Sequence, residues 1–193
     1  GIIYISQNSN DIEYSLDDIS YTPINKWPLE IENTNPGSSN ITNVELKKDI
    51  TLSDTTNGTE SNGTDLYFKC GSEYITFDGE SYNITIDTVT NYPGLIQNGF
   101  ESNDGKTNIS IQNIGLLTDN GSTLVTEGGW VGQILFGKGI SNGTISFNKC
   151  YSTGTISSEG GGIIGYESFQ NIINGTVNIS ECYSTGSIGS NSG

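Results

Sequence analysis

A segment near the C-terminus of this 193-residue chain occurs twice. Asn142-Gly143-Thr144-Ile145-Ser146-Phe147-Asn148-Lys149-Cys150-Tyr151-Ser152-Thr153-Gly154-Thr155-Ile156 returns as Asn174-Gly175-Thr176-Val177-Asn178-Ile179-Ser180-Glu181-Cys182-Tyr183-Ser184-Thr185-Gly186-Ser187-Ile188. Equivalent residues, such as Cys150 and Cys182, are 32 positions apart throughout. A fixed period of this length belongs to units that cannot bury an apolar face alone and do so by stacking. Such stacks present long surfaces more often than single clefts.

Upstream, short runs alternate with the two-residue period of a half-buried strand: Val44/Leu46, Ile50/Leu52, Leu66/Phe68/Cys70, Ile75/Phe77, Ile84/Ile86, Ile109/Ile111, Ile145/Phe147 and Val177/Ile179. Turn signals lie between them, among them Asp78-Gly79, Asn98-Gly99, Asp104-Gly105, Asn120-Gly121 and Asn142-Gly143. The 26 glycines and many asparagines suit left-handed turn positions, and alanine, the best helix former, is absent. Many short strands allow a sandwich, a barrel or a β-solenoid. The repeat decides among them, because it places Ile145 over Val177, Phe147 over Ile179 and Ile156 over Ile188. A sandwich has no need of such a register. The expectation is an all-β, right-handed parallel β-helix over residues 37–193, a fragment of a longer protein. It would contain about six to eight coils and span roughly 30–40 Å at about 4.8 Å per coil. Residues 1–36, with Trp27-Pro28 and the Asn35-Pro36-Gly37 break, form an N-terminal capping segment that covers the open end of the sheets.

The net charge of −15 and pI near 4.1 argue against nucleic acid or an anionic membrane surface as partner. No apolar run is long enough to span a bilayer, so no membrane insertion is expected. The acidity serves to keep a strand-rich rod in solution.

The strand-turn units Ile75-Thr76-Phe77-Asp78-Gly79 with Ile84-Thr85-Ile86, and Asn108-Ile109-Ser110-Ile111-Gln112-Asn113-Ile114, resemble coils of pectate-lyase-like parallel β-helices. The Cys-Tyr-Ser-Thr-Gly-x-Ile segments around Gly160-Gly161-Gly162-Ile163-Ile164-Gly165 are similar to GLUG-type repeats of bacterial surface proteins. With Trp27-Pro28, Asn91-Tyr92-Pro93-Gly94 and Gly128-Gly129-Trp130, the whole most resembles β-helix repeat proteins of giant, mimivirus-like viruses. That resemblance implies a structural module on a virion or otherwise outside the cell. Its partners would be other virion or surface proteins and host glycans, and a homotrimer is the oligomer it implies, since trimeric packing is common among fibre-like β-helices, although nothing in the residues requires it. The alternatives it implies are a polysaccharide lyase or hydrolase and a bacterial-type adhesin.

Residues for catalysis are scarce. Arginine and histidine are absent, and the adjacent acidic pair Asp17-Asp18 falls in the capping segment. Asp78 and Asp87 could reach one face of neighbouring coils, but Asp78, ahead of Gly79, reads as a turn residue, and the lysines are scattered. The spacing of Cys70, Cys150 and Cys182 fits no metal site, no complete calcium loop is present, and no cofactor motif appears, so no enzyme, metal or cofactor is expected. Cys150 and Cys182 would stack on neighbouring coils as buried thiols or as a disulfide. Tyr151, Tyr183 and Trp130 are candidates for contact with sugar rings, with a core or ladder role as the plainer reading. Among the Asn-x-Ser/Thr sequons, Asn57, Asn62 and Asn142 are the candidates for glycosylation at exposed turns.

Overall fold

The structure is a computed structural model that describes residues 1–35 and 40–190. In chain order the strands are β1 (Ile2–Asn8), β2 (Asp11–Ser15), β3 (Thr22–Pro23), β4 (Leu29–Ile31), β5 (Thr42–Leu46), β6 (Ile50–Ser53), β7 (Phe68–Cys70) and β8 (Ile75–Asp78). They continue as β9 (Asn83–Asp87), β10 (Ile96–Gln97), β11 (Ile109–Gln112), β12 (Gly115–Asp119), β13 (Thr144–Asn148), β14 (Tyr151–Ser152), β15 (Thr176–Ser180) and β16 (Tyr183–Ser184). All eight alternating runs picked out from the sequence fall on strands, apart from Leu66, which lies two residues ahead of β7, and their apolar members point inward as far as β13.

Three sheets collect these strands. The largest runs β15-β13-β11-β8-β5-β1-β2-β3, the second β10-β7-β4, and the third β16-β14-β12-β9-β6. From β4 to β12 the chain visits the second, first and third sheets in that order, each visit pairing parallel with the one before, and in later coils isolated parallel bridges at Gly132 and Ile164 stand in for the second sheet. This is a parallel β-helix of about four turns. It is shorter than the expected six to eight coils. The first step of the large sheet consumes 41 residues, from Ile3 to Val44, because β2 and β3 leave the stack. Later steps run from Val44 to Phe77, Ile75 to Ile109 and Ile109 to Ile145, and only the final one, from Ile145 to Val177, settles at 32.

Stacking is like upon like. Val44, Phe77, Ile111 and Phe147 form one inward column, and Ile75, Ile109 and Ile145 another, each residue 3 % exposed or less. Burying such side chains contributes about 1.5–3 kcal/mol apiece. Aromatic pairs close the gaps between sheets: Phe68 meets Phe77 at 5.9 Å and Phe136 meets Phe147 edge-on at 5.0 Å. Outside, polar side chains bond along the stack. Gln112 Nε2 donates to Asp78 Oδ2 (2.6 Å), Ser146 Oγ to Ser110 Oγ (3.0 Å), and Ser180 Oγ to Asn148 Oδ1 (3.0 Å).

The two ends differ. At the N-terminal end β1 turns back into β2, which pairs antiparallel with β1 and with β3. The outermost strand, β3, is two residues long, exposed and contains Pro23, so it offers little ladder to pair with. Residues 1–36 thus contribute β1 and β4 to the parallel stack as well as this hairpin extension. The expected boundary at residues 36 and 37 lies outside the described residues. At the other end, β15 and β16 are the last strands of their sheets, and Ile173, Ile179 and Ile188 are exposed.

Candidate functional site

The second sheet builds a groove on one flank. Its outward residues Glu30, Lys69 and Gln97 stand in register on β4, β7 and β10. Twelve residues separate Ile96 from Ile109, where only six separate their partners Phe68 and Ile75. The longer connection folds outward as a tight turn, with Phe100 and Asn103 exchanging backbone bonds of 2.9 and 3.2 Å. Asn98 secures its base: its amide donates to the Lys106 carbonyl (3.0 Å) and accepts from the Lys106 N–H (2.6 Å). Lys138, from the next coil, secures its tip by donating to the Glu101 carbonyl (2.9 Å) with Asp104 Oδ1 at 3.8 Å.

This turn holds Phe100 out of the core, 48 % exposed, as a wall shared by two troughs. The larger, about 800 Å³, is lined by Tyr67, Lys69, Lys106 and the carboxylates of Glu30, Glu73 and Asp104. The smaller, about 470 Å³, is lined by Tyr166, Glu127, Glu167 and Gln170. Tyr166 is 41 % exposed, and the Glu167 carboxylate beside it raises its phenol above the ordinary tyrosine value. Burial does the same, first of all, for Tyr67. Exposed rings alternating with carboxylates, amides and lysines form a surface that can stack on and hydrogen-bond to a polyhydroxylated ligand.

Lysines and carboxylates that look scattered along the chain therefore meet: Lys69 and Lys106 share a groove with Glu30 and Glu73, although Glu73 already accepts the Thr107 hydroxyl (3.1 Å). Asp78 ends β8, just ahead of the turn at Gly79, and Asp87 ends β9. Asp78 accepts from Gln112, Asn113 and the Glu80 N–H, and Asp87 from Asn120.

None of the aromatic residues singled out from the sequence lines this groove. Trp130, a candidate sugar contact, is wholly buried. Gly128 and Gly129 bring the neighbouring backbones close around it, its ring stacks on Tyr92 at 6.3 Å, and its indole N–H donates to the Thr155 carbonyl. It is a core residue, and no sugar reaches it. Tyr151 and Tyr183 do stack, with centroids 5.3 Å apart and planes 9° from parallel. Tyr151 lies over Gly115, its hydroxyl donates to Asn83 Oδ1, and Tyr183 covers its outer face. Tyr183, 57 % exposed, is the one member of the three with an open ring.

Cys150 is buried, Cys182 is partly exposed, and both are free thiols rather than a disulfide. Of the sequons, Asn62 and Asn142 sit exposed at positive φ (54° each). Asn57 is a different case. Its amide nitrogen donates to the Ile12 carbonyl (3.1 Å) and its oxygen accepts the Ile12 N–H (3.0 Å), so the nitrogen a glycan would use is engaged. Among the described residues no group of three or more Cys, Asp or Glu side chains is placed to hold a metal, and no helix is long and apolar enough to cross a membrane.

Phe100 and Tyr166 escaped the sequence reading because alternation searches for paired apolar residues. The available signal was an isolated aromatic ring inside a turn: Phe100 stands between Asn98-Gly99 and Asp104-Gly105. Comparison with known families, curated proteins and solved structures finds no match to this chain.

Proposed function

We propose that this chain is a non-enzymatic surface module, a short β-helical rod that engages glycan chains along its flank on a virion or another extracellular surface. The observation that carries the reading is Phe100, lifted from the core by a turn anchored at base and tip, and left half exposed between two polar troughs. A sugar ring has one apolar face and a rim of hydroxyls, and this arrangement meets both needs. The rigid stack beneath holds the rings in place before a ligand arrives, which lowers the ordering cost of binding. The acidic chain and its groove favour neutral glycans over polyanionic ones.

The test is a glycan array with the recombinant protein and its Phe100→Ala variant. Reproducible binding that weakens about tenfold or more in the variant, the scale of one aromatic contact, supports the reading. Binding that is absent, or unchanged in the variant, removes it. Mass spectrometry of intact particles or cell envelopes locates the protein.

One observation favours a second reading, a polysaccharide-cleaving enzyme. Glu30, Glu73, Asp104, Lys69 and Lys106 line the larger trough, which brings acids and candidate bases together. Release of reducing ends from polysaccharides, lost on Glu73→Gln or Lys106→Ala, distinguishes it from binding alone.

A further inference from the structure

The two C-terminal thiols occupy equivalent places on successive coils. On one side Asn148 is in register with Ser180, and on the other Tyr151 with Tyr183. Backbone bonds bracket the pair: the Lys149 N–H donates to the Ser180 carbonyl and the Tyr183 N–H to the Cys150 carbonyl, each at 3.1 Å. Stacked strands of this kind place equivalent Cα atoms about 4.8 Å apart, inside the roughly 4.4–6.8 Å that a disulfide accepts. The two side chains are also in reach of one another, with Cys182 acting directly on the Cys150 thiol. Neither is committed elsewhere by a strong bond. The Cys150 thiol points at the Ile111 and Asn148 carbonyls at 3.6 Å, and the Cys182 thiol at that of Ser180 at 3.3 Å.

Their surroundings are unequal. Cys150 is fully buried and Cys182 partly exposed. Burial, and then Cys182 alongside, pushes the Cys150 thiol up to about 12. Cys70 stands apart on β7, buried, and burial raises its thiol well above the usual range.

We propose that Cys150 and Cys182 form a dithiol modification site, which a low-molecular-weight disulfide such as oxidised glutathione converts to a cross-link between the last two coils. Cys182, the accessible sulfur, attacks as thiolate and expels one reagent thiolate, leaving a mixed disulfide. Cys150 then attacks the Cys182 sulfur, expelling the second reagent thiolate, which takes up the Cys150 proton. The protein pair loses two protons and two electrons, and the reagent is reduced to two thiols. The product ties β15 and β16, whose Ile179 and Tyr183 side chains are about half exposed, to β13 and β14. The glycan reading plays no part in this inference.

Folded protein is incubated with oxidised glutathione, quenched in acid, alkylated, digested and mapped by mass spectrometry. The expected product is a peptide pair joined through Cys150 and Cys182, lighter by two hydrogens, with Cys70 still reduced. Amide exchange across Thr176–Ser184 is expected to slow by about tenfold or more and to recover with dithiothreitol. In Cys150→Ser a glutathione adduct persists on Cys182, and in Cys182→Ser neither link nor slowing occurs. A glutathione adduct that persists on Cys182 of the unaltered chain overturns the proposal. So does failure of Cys150 to be consumed, or slowing that is equal in Cys182→Ser.

Discussion

The side-chain amide of Asn57 bonds both backbone groups of Ile12, accepting its N–H at 3.0 Å and donating to its carbonyl at 3.1 Å. One side chain therefore substitutes for a strand partner along β2, while the Ile12 carbonyl also takes the Ile24 N–H. Replacing Asn57 with Ala leaves the Ile12 N–H unmet, while the carbonyl keeps its bond from Ile24, and is expected to cost about 1–3 kcal/mol. Urea denaturation reads the loss, and faster amide exchange at Ile12 assigns it to β2. No glycan is expected on Asn57 when the protein is made in a glycosylating host, whereas Asn62 and Asn142 remain available.

Gly115 is the notch that receives Tyr151. A Cβ placed there would overlap both the Tyr151 ring and Asn83 Oδ1. Gly115→Ala is expected to push the ring outward and destabilise the protein by about 1–3 kcal/mol. Tyr151→Phe keeps the stack and loses only the Asn83 bond, at about 0.5–1.5 kcal/mol. Thermal unfolding of the two variants checks the order.

Trp130 and Tyr183 separate packing from surface. Trp130→Ala empties a buried site and is expected to cost about 3–5 kcal/mol. Tyr183→Ala, at an exposed ring, is expected to cost less than about 1 kcal/mol. Equal losses would mean that Trp130 is not the core residue described.

Acidic groups at the N-terminal end oppose one another in their pH dependence. Burial first, then the neighbouring carboxylates Glu80 and Asp78, hold the Glu45 pKa above its usual 4.5. Between 4.5 and that raised value the folded chain keeps a proton the unfolded chain has lost. This stabilisation is complete below 4.5 and disappears as pH rises through the folded value. Glu45→Gln is therefore expected to raise stability at neutral pH and to change little in strong acid. Asp17, bonded by the N–H groups of Ser20 and Ile19, and Asp18, bonded by Tyr21 and Lys47, are lowered below 3.8. Their stabilisation is present above 3.8 and is lost as pH falls through their folded values. Denaturant midpoints across pH for Glu45→Gln and Asp17→Asn check the opposite signs.

The vertical neighbours Phe147 and Ile179, Ile145 and Val177, and Ile156 and Ile188 were legible because identical coils must repeat their apolar residues. The coil count was not legible, because turns between coils absorb insertions without disturbing the register. The Phe100 turn is such an insertion, and no periodicity records it. Trp130 was left open between core and sugar contact for the opposite reason. A Gly pair ahead of an aromatic ring suits an exposed loop as well as a close backbone approach, and only the packing tells them apart. The groove draws on residues from several coils, so no local motif announces it.

The hairpin β2–β3 gives the stack a direction of growth. Engineered copies of the 32-residue unit joined after Ile188 would find open strands to continue, whereas copies joined ahead of Ile2 would find the margin of the largest sheet already taken by a hairpin ending at Pro23. A designer seeking a longer ruler has the β15 and β16 end to build from.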